Sequence, residues 1–105
     1  MEVFSTELEG VKILVPELFK DSRGYFFETF NNEVFEKHFG PVAFCQDNQS
    51  LSHRNVIRGL HFQEGSAAQS KLVRTVKGVI WDVVVDIKKT SPTFKRWIGT
   101  TTERR

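Results

Sequence analysis

The chain has 105 residues, with 15 Lys and Arg against 13 Asp and Glu, for a formal net charge of +2. Hydrophobic residues make up 39% and charged residues 27%, and the 10 Phe, 2 Trp and 1 Tyr exclude the composition of a disordered chain. The length fits one domain over 1–105 and leaves no room for a second. No apolar run approaches the ~20 residues of a membrane-spanning helix, so no membrane partner is expected.

The start, Met1-Glu2-Val3-Phe4-Ser5-Thr6-Glu7, is acidic and has no long apolar run, and Cys45 is the single cysteine. No signal peptide and no internal disulfide are therefore expected, which favours the cytoplasm. The small positive charge comes without a Lys/Arg block, so nucleic acid is not implied. The balance equally suits a small anionic ligand.

In chain order, Val11-Lys-Ile-Leu-Val15 is a β-branched run ended by Pro16 and reads as a strand. Asp21-Ser-Arg-Gly24 is turn chemistry, because Asp bonds nearby backbone and Gly accepts positive φ. It leads into Tyr25-Phe-Phe-Glu-Thr-Phe30, aromatic-rich and predicted as a strand. Asn31 or Asn32 caps a short helix over Glu33–Phe39, with Gly40 at its end and Pro41 beyond. Val34, Phe35 and His38 form its packing face.

Strands are predicted over Val42–Gln46, Val56–Gln63, Lys71–Val76 and Val79–Ile87, with Lys77-Gly78 as a hairpin turn between the last two. Ser91-Pro92 breaks the pattern, and Phe94–Thr101 opens a further strand. Short, closely spaced strands with one helix predict a mainly β sandwich or barrel.

The densest polar segment is Gln46-Asp-Asn-Gln-Ser50, followed by Val56-Ile-Arg-Gly-Leu-His-Phe-Gln63. On a strand, Arg58, Leu60 and Phe62 share one face, while Ile57, Gly59, His61 and Gln63 share the other. Gly59 then leaves room for a ligand beside His61. Spacing alone favours the plainer reading, in which Gly59 marks a bulge and His61 is a hydrogen-bonded core histidine. Lys71 either meets an anion or lies on a solvated strand face, and Arg74 is read as solvated. Asp82 and Asp86 share a strand face, which suits either acid/base work or pairing with a neighbouring Lys or Arg. Metal is rejected: His61-Phe-Gln63 offers one imidazole and one amide, His38 and His53 have no useful spacing to it, and one cysteine builds no structural site.

Taken in order, Asp21-Ser-Arg-Gly-Tyr-Phe-Phe-Glu28, Gln46-Asp-Asn-Gln-Ser50, Ile57-Arg-Gly-Leu-His-Phe-Gln63, Lys71-Leu-Val-Arg74, Asp82-Val-Val-Val-Asp-Ile87 and Ser91-Pro-Thr-Phe94 closely resemble the dTDP-4-dehydrorhamnose 3,5-epimerase family. The resemblance runs to about Gly99, and Thr101-Thr-Glu-Arg-Arg105 fades from the pattern. It implies a cupin-like jelly roll, and a chain that stops before the family's C-terminal portion. It also implies a homodimer, no cofactor, and a dTDP-linked 4-keto-6-deoxy sugar as substrate, epimerised at C3 and C5 on the way to dTDP-L-rhamnose.

By the same resemblance, His61 is the base and Lys71 stabilises the enolate. Arg23 and Arg58 meet the nucleotide and diphosphate, and Glu28, Gln46 and Asn48 make further substrate contacts. The chemistry suits these residue types. A C4 ketone acidifies both neighbouring C–H bonds, and an imidazole, titrating ordinarily at about 6.5, takes such a proton near neutrality. A guanidinium binds phosphate oxygens in pairs. Gln49 stands where many relatives carry histidine. The family's tyrosine acid, its second histidine and the aspartate that orients the base belong to the portion beyond this sequence. The alternatives are a related nucleotide-sugar 3-epimerase or ketoisomerase, and a non-catalytic remnant that binds nucleotide sugar or pairs with a complete subunit.

Overall fold

Backbone polar groups must find partners, and in this chain the local segments that can fold back on themselves do so. The computed structural model describes residues 1–103. Three antiparallel hairpins result, each a separate two-stranded sheet. The first pairs β1 (Glu2–Ser5) with β2 (Lys12–Val15), the predicted Val11–Val15 strand, in the register Glu2↔Val15 to Ser5↔Lys12. Its loop is closed by Thr6, whose Oγ1 donates to the Val11 carbonyl at 2.8 Å and accepts from the Leu8 N–H at 3.2 Å. Leu8 is thereby tucked in at 2% exposure.

The second hairpin joins β3 (Phe19–Asp21) to β4 (Gly24–Phe26) across Ser22 and Arg23. The expected turn is present: Asp21 Oδ1 accepts the Arg23 backbone N–H at 2.8 Å, and Gly24 takes φ of +134°. The predicted strand over Tyr25–Phe30 ends early, at Phe26. β3 is three residues long, so its ladder stops at Phe19↔Phe26 and nothing pairs the residues beyond. Phe30 turns instead to the helix.

That helix, α1 (Asn32–Phe39), is capped as expected. Asn31 Oδ1 accepts the Val34 N–H at 3.2 Å, and Gly40, with φ of +77°, ends it by donating its N–H to the Glu36 carbonyl. Phe35 is 6% exposed, with ring centroids of Phe39, Phe44 and Phe30 at 4.3, 5.1 and 5.7 Å. Leu8 and Phe35 are the buried hydrophobic residues among those described.

The third hairpin is the longest. β5 (Val79–Val85) pairs with β6 (Trp97–Glu103) over seven positions, from Val79↔Glu103 to Val85↔Trp97. The predicted Lys77-Gly78 hairpin does not form: β5 pairs with the later strand, and among the described residues the backbone of 71–76 makes no ladder bonds. β6 is displaced from the predicted Phe94–Thr101, since Ser91, Thr93 and Arg96 are held in the connecting loop. Asp86 organises that loop: Oδ2 accepts from the Ser91 and Thr93 hydroxyls, and Oδ1 from the Lys88 N–H at 3.0 Å. The Trp81 ring lies on Gly99, where an added Cβ would come within 2.2 Å of it.

The predicted strands over Val42–Gln46, Val56–Gln63 and Lys71–Val76 are not strands here; this stretch contains only a short 3-10 turn at Gly65–Ala67. Among the described residues, no backbone–backbone hydrogen bond involves 57–63 or 69–76. A β-branched sequence has strand propensity, but a strand needs a neighbour to take its ladder bonds. The side-chain alternation drawn for 56–63 therefore does not apply.

The surface reflects this openness. The chain exposes 9396 Å², and its radius of gyration is 15.4 Å. A compact monomer of 12.1 kDa would expose about 6,000 Å², and 105 residues would have a radius of about 13 Å. Few ties join the hairpins. Arg96 pairs with Glu7 at 2.9 Å, Lys12 Nζ sits 5.5 Å from the Phe39 centroid, and the Thr75 and Thr102 hydroxyls meet at 2.7 Å.

Two outcomes follow from the β5–β6 hairpin. Gly99→Ala must push the Trp81 ring off the sheet, with a loss of about 1–3 kcal/mol, seen as a lower urea midpoint and altered tryptophan emission. The Asp86 carboxyl is held below its ordinary value of 3.8 by the Ser91 and Thr93 hydroxyls and the Lys88 N–H. A depressed carboxyl stabilises the fold above its unfolded pKa and loses that contribution as pH falls through the lower folded value. Between pH 7 and 3 the melting temperature of the wild type is expected to fall more steeply than that of Asp86→Asn.

Candidate active site

Arg23 sits at the tip of the β3–β4 turn, and its position follows from the turn itself. The Asp21 carboxylate that closes the turn through the backbone also accepts from Arg23 Nε at 3.2 Å and from Nη2 at 2.6 Å. Both side chains are largely in water, at 87% exposure for Arg23 and 50% for Asp21, so the pair contributes little to stability. Its effect is on position and charge: hydrogen bonds from Arg23 hold the Asp21 carboxyl below its ordinary value, and Asp21 raises the guanidinium. A shallow, open hollow is walled by this hairpin, from Phe19 to Phe26, and includes neither His61 nor Lys71. Glu28 follows β4 as an exposed side chain.

Gln46 and Asn48 lie side by side on the exposed segment after Phe44, with Gln46 Nε2 donating to Asn48 Oδ1 at 3.4 Å. Arg58 reaches back across its own loop. Its Nε donates to Ser52 Oγ at 2.8 Å and its Nη2 to the Leu51 carbonyl at 3.2 Å, which fixes the 51–58 loop as a small closed unit. His61 and Lys71 are both exposed, and among the described residues neither makes a hydrogen bond or an ion pair. The core-histidine reading of His61 is therefore overturned: its segment has no ladder and no covering layer.

Gly59 also has a different reason from the one expected. Its φ is +124°, a conformation that favours glycine, while an added Cβ would meet His61 Nδ1 at an ordinary 3.5 Å. The backbone requires this glycine more than the space beside the imidazole does. Of the two aligned aspartates, Asp86 is committed to the hairpin loop, and Asp82 lies half-buried on β5 opposite Thr100. The contact that residue types did not signal is Thr75 with Thr102. It ties the segment that carries Lys71 to β6 across 27 residues of sequence. Among the described residues, no group of three or more His, Cys, Asp and Glu is placed to hold a metal ion.

The family pattern for dTDP-4-dehydrorhamnose 3,5-epimerase matches residues 5–105, which carries it past Gly99 and through the segment where the motif resemblance faded. The chain belongs to that family. It is 53% identical over 100 residues to dTDP-4-dehydrorhamnose 3,5-epimerase of Escherichia coli K12, a match that takes in 94% of this chain and 54% of that one. The backbone superposes on the solved epimerase of Elizabethkingia anophelis with a TM-score of 0.92 at 42% identity, covering 98% of this chain and 57% of that one.

The solved Legionella pneumophila enzyme, in complex with dTDP-4-keto-L-rhamnose, gives 0.89 at 39% identity, covering 97% of this chain and 54% of that one. These relatives have the cupin-like jelly-roll fold, and the chain spans about half the length of the curated relatives it matches. The open hairpins and unpaired segments are thus the family's arrangement in part. Within the epimerase-family chain, Arg58 gives a direct check on this geometry. Ser52→Ala removes the acceptor of its Nε–H, and proton exchange at that nitrogen, followed by NMR, is expected to quicken while the helix signals stay in place.

Proposed function

We propose that this chain carries the base-bearing part of a dTDP-4-dehydrorhamnose 3,5-epimerase, acting on a dTDP-linked 4-keto-6-deoxy sugar. The observation that carries the reading is the 53% identity over 100 residues with the Escherichia coli enzyme of that name. The dTDP-4-keto-L-rhamnose bound to the Legionella relative supports the substrate class. His61 removes the protons at C3 and C5, each next to the C4 ketone, Lys71 stabilises the negative charge that builds on the carbonyl oxygen, and an acid from the family portion beyond this sequence returns a proton to the opposite face of each carbon. Arg23 and Arg58 neutralise the diphosphate, with Glu28, Gln46 and Asn48 completing the substrate contacts. The chain acts as one domain unit in a homodimer, in the cytoplasm. Among the described residues, no helix is long and apolar enough to cross a membrane.

Charge stabilisation by Lys71 is strong only where water is excluded. His61 and Lys71 face water in this chain, so turnover belongs to the state in which that face is covered. General base catalysis contributes typically 10²–10⁴ in rate. His61→Ala, in this chain joined to the uncovered remainder of the Escherichia coli relative, is expected to slow deuterium uptake at C3 and C5 by a factor of about 10² or more. Uptake at the wild-type rate would remove His61 from the role of base, and uptake at C3 alone would assign a 3-epimerase.

A further inference from the structure

Arg23 and Arg58 belong to different segments, yet their guanidinium groups are held in the same way. On Arg23, Nε and Nη2 both donate to Asp21 Oδ2, at 3.2 and 2.6 Å. On Arg58, Nε donates to Ser52 Oγ at 2.8 Å and Nη2 to the Leu51 carbonyl at 3.2 Å. In each case the tied edge is the one that contains Nε. A guanidinium has one N–H on Nε and two on each Nη, in a planar fork. The opposite edge, Nη1 with the second N–H of Nη2, is left over. Among the described residues Nη1 of neither arginine has a partner, and the Arg23 side chain is 87% exposed.

Two parallel N–H groups on one edge match two oxygens of a phosphate. An arginine that is not held can present either edge, and it loses rotamer freedom when a ligand fixes it. A partner on the Nε edge settles which edge faces outward and removes part of that loss beforehand. The two oxygens of Asp21 have separate work here. Oδ1 accepts the Arg23 backbone N–H at 2.8 Å and closes the turn, while Oδ2 holds the guanidinium. The turn uses the first oxygen alone, so the shape of the hairpin does not call for the second.

We propose that Asp21 is a positioning residue, which turns the Nη1–Nη2 edge of Arg23 outward as the edge that takes a pair of diphosphate oxygens. Ser52 stands in the same relation to Arg58 without a charge. The proposal rests on the diphosphate contact proposed for Arg23, and adds which edge makes it and what fixes that edge. The rival role for the carboxylate is to neutralise Arg23 and repel the ligand. The two roles differ in sign. Positioning prevails because both side chains are largely in water, where repulsion is screened while the ordering of the arginine is not.

The test uses this chain joined to the uncovered remainder of the Escherichia coli relative, with dTDP as the probe in titration calorimetry. Asp21→Asn keeps a side-chain oxygen for the Arg23 N–H, so the turn survives, but it puts an NH2 group where the guanidinium had its acceptor. Affinity for dTDP is expected to fall about three- to tenfold, the effect of ordering one long side chain on binding. In turnover the loss should fall on KM rather than kcat. Exchange at Arg23 Nε–H, followed by NMR, should quicken while the amide signals of 19–26 stay in place. In an Arg23→Gln background, Asp21→Asn should weaken dTDP binding no further.

Unchanged affinity in Asp21→Asn would overturn the proposal and leave Asp21 as a turn-former only. Tighter binding would overturn it in favour of the carboxylate as a competitor of the ligand. A loss that persists in the Arg23→Gln background would trace to the hairpin and overturn it as well. If Arg23→Gln alone binds dTDP as the wild type does, the diphosphate contact of Arg23 fails and the positioning role fails with it. The base role of His61 is then untouched, since deuterium uptake tests it separately.

Discussion

Strand formation in this chain is limited by who takes the hydrogen bonds. A β-branched segment left without a ladder partner exposes its N–H and C=O groups to water, and its propensity then has nothing to act on. Where side chains tie the intervening loop, the ladder closes. Thr6 closes β1 on β2, the Asp21 side chain closes β3 on β4, and Asp86 with Ser91 and Thr93 closes β5 on β6. From Pro41 to Gly78 no such local device exists, and the chain runs without strands. The division between ordered hairpins and open stretch thus follows which loops are tied by side chains rather than loop length: the two-residue Lys77-Gly78 link closes nothing, while the eleven residues between β5 and β6 are held by Asp86.

The same limit explains the small core. A hairpin buries one face only when a second layer lies against it, and two-stranded units alone are marginal in water. Here the one sizeable apolar cluster forms where α1 supplies that layer, with Phe35 between Phe30, Phe39 and Phe44. β5 and β6 have no such cover. Trp81 lies flat on Gly99 and still exposes 63% of its surface. Among the described residues, the ties between units include a surface ion pair, a cation over a ring and a hydroxyl pair, none of which replaces a buried layer.

Local chemistry was legible in the residues. An Asn cap, Gly40 as stop and Asp21 as turn-former depend on neighbours within three or four positions; Gly40 and Asp21 are found where the sequence puts them, and of the two candidate caps the structure uses Asn31. Partner choice was not. Nothing in Lys71–Val76 distinguishes a strand from a segment held by one threonine, and β5 pairs with a strand beyond an eleven-residue loop whose order comes from Asp86. The site divides similarly. Motif order identified the family to which His61, Lys71, Arg23 and Arg58 belong. The spacing around Arg58, His61 and Lys71 suggested faces of strands that the described chain does not contain, and Gly59 owes its place to φ of +124°.

Folding and chemistry are coupled here through water. Two unit charges 4 Å apart interact by about 1 kcal/mol in water and by about 4 kcal/mol at the effective dielectric near a protein surface. A lysine in the role proposed for Lys71 therefore gains most of its effect from whatever excludes solvent around it. Arg23 and Arg58 illustrate the uncovered condition: each spends its Nε–Nη2 edge on its own hairpin or loop, Asp21 in one case and Ser52 with the Leu51 carbonyl in the other. An anionic ligand is left the opposite edge of each. The layer that buries Ile57, Leu60 and Phe62 would also lower the dielectric around His61, which lies between Leu60 and Phe62 in the chain. Under the role proposed for His61, burial of its apolar neighbours and activation of the imidazole are coupled, and a substitution that keeps Leu60 and Phe62 exposed should silence the base without touching a polar residue.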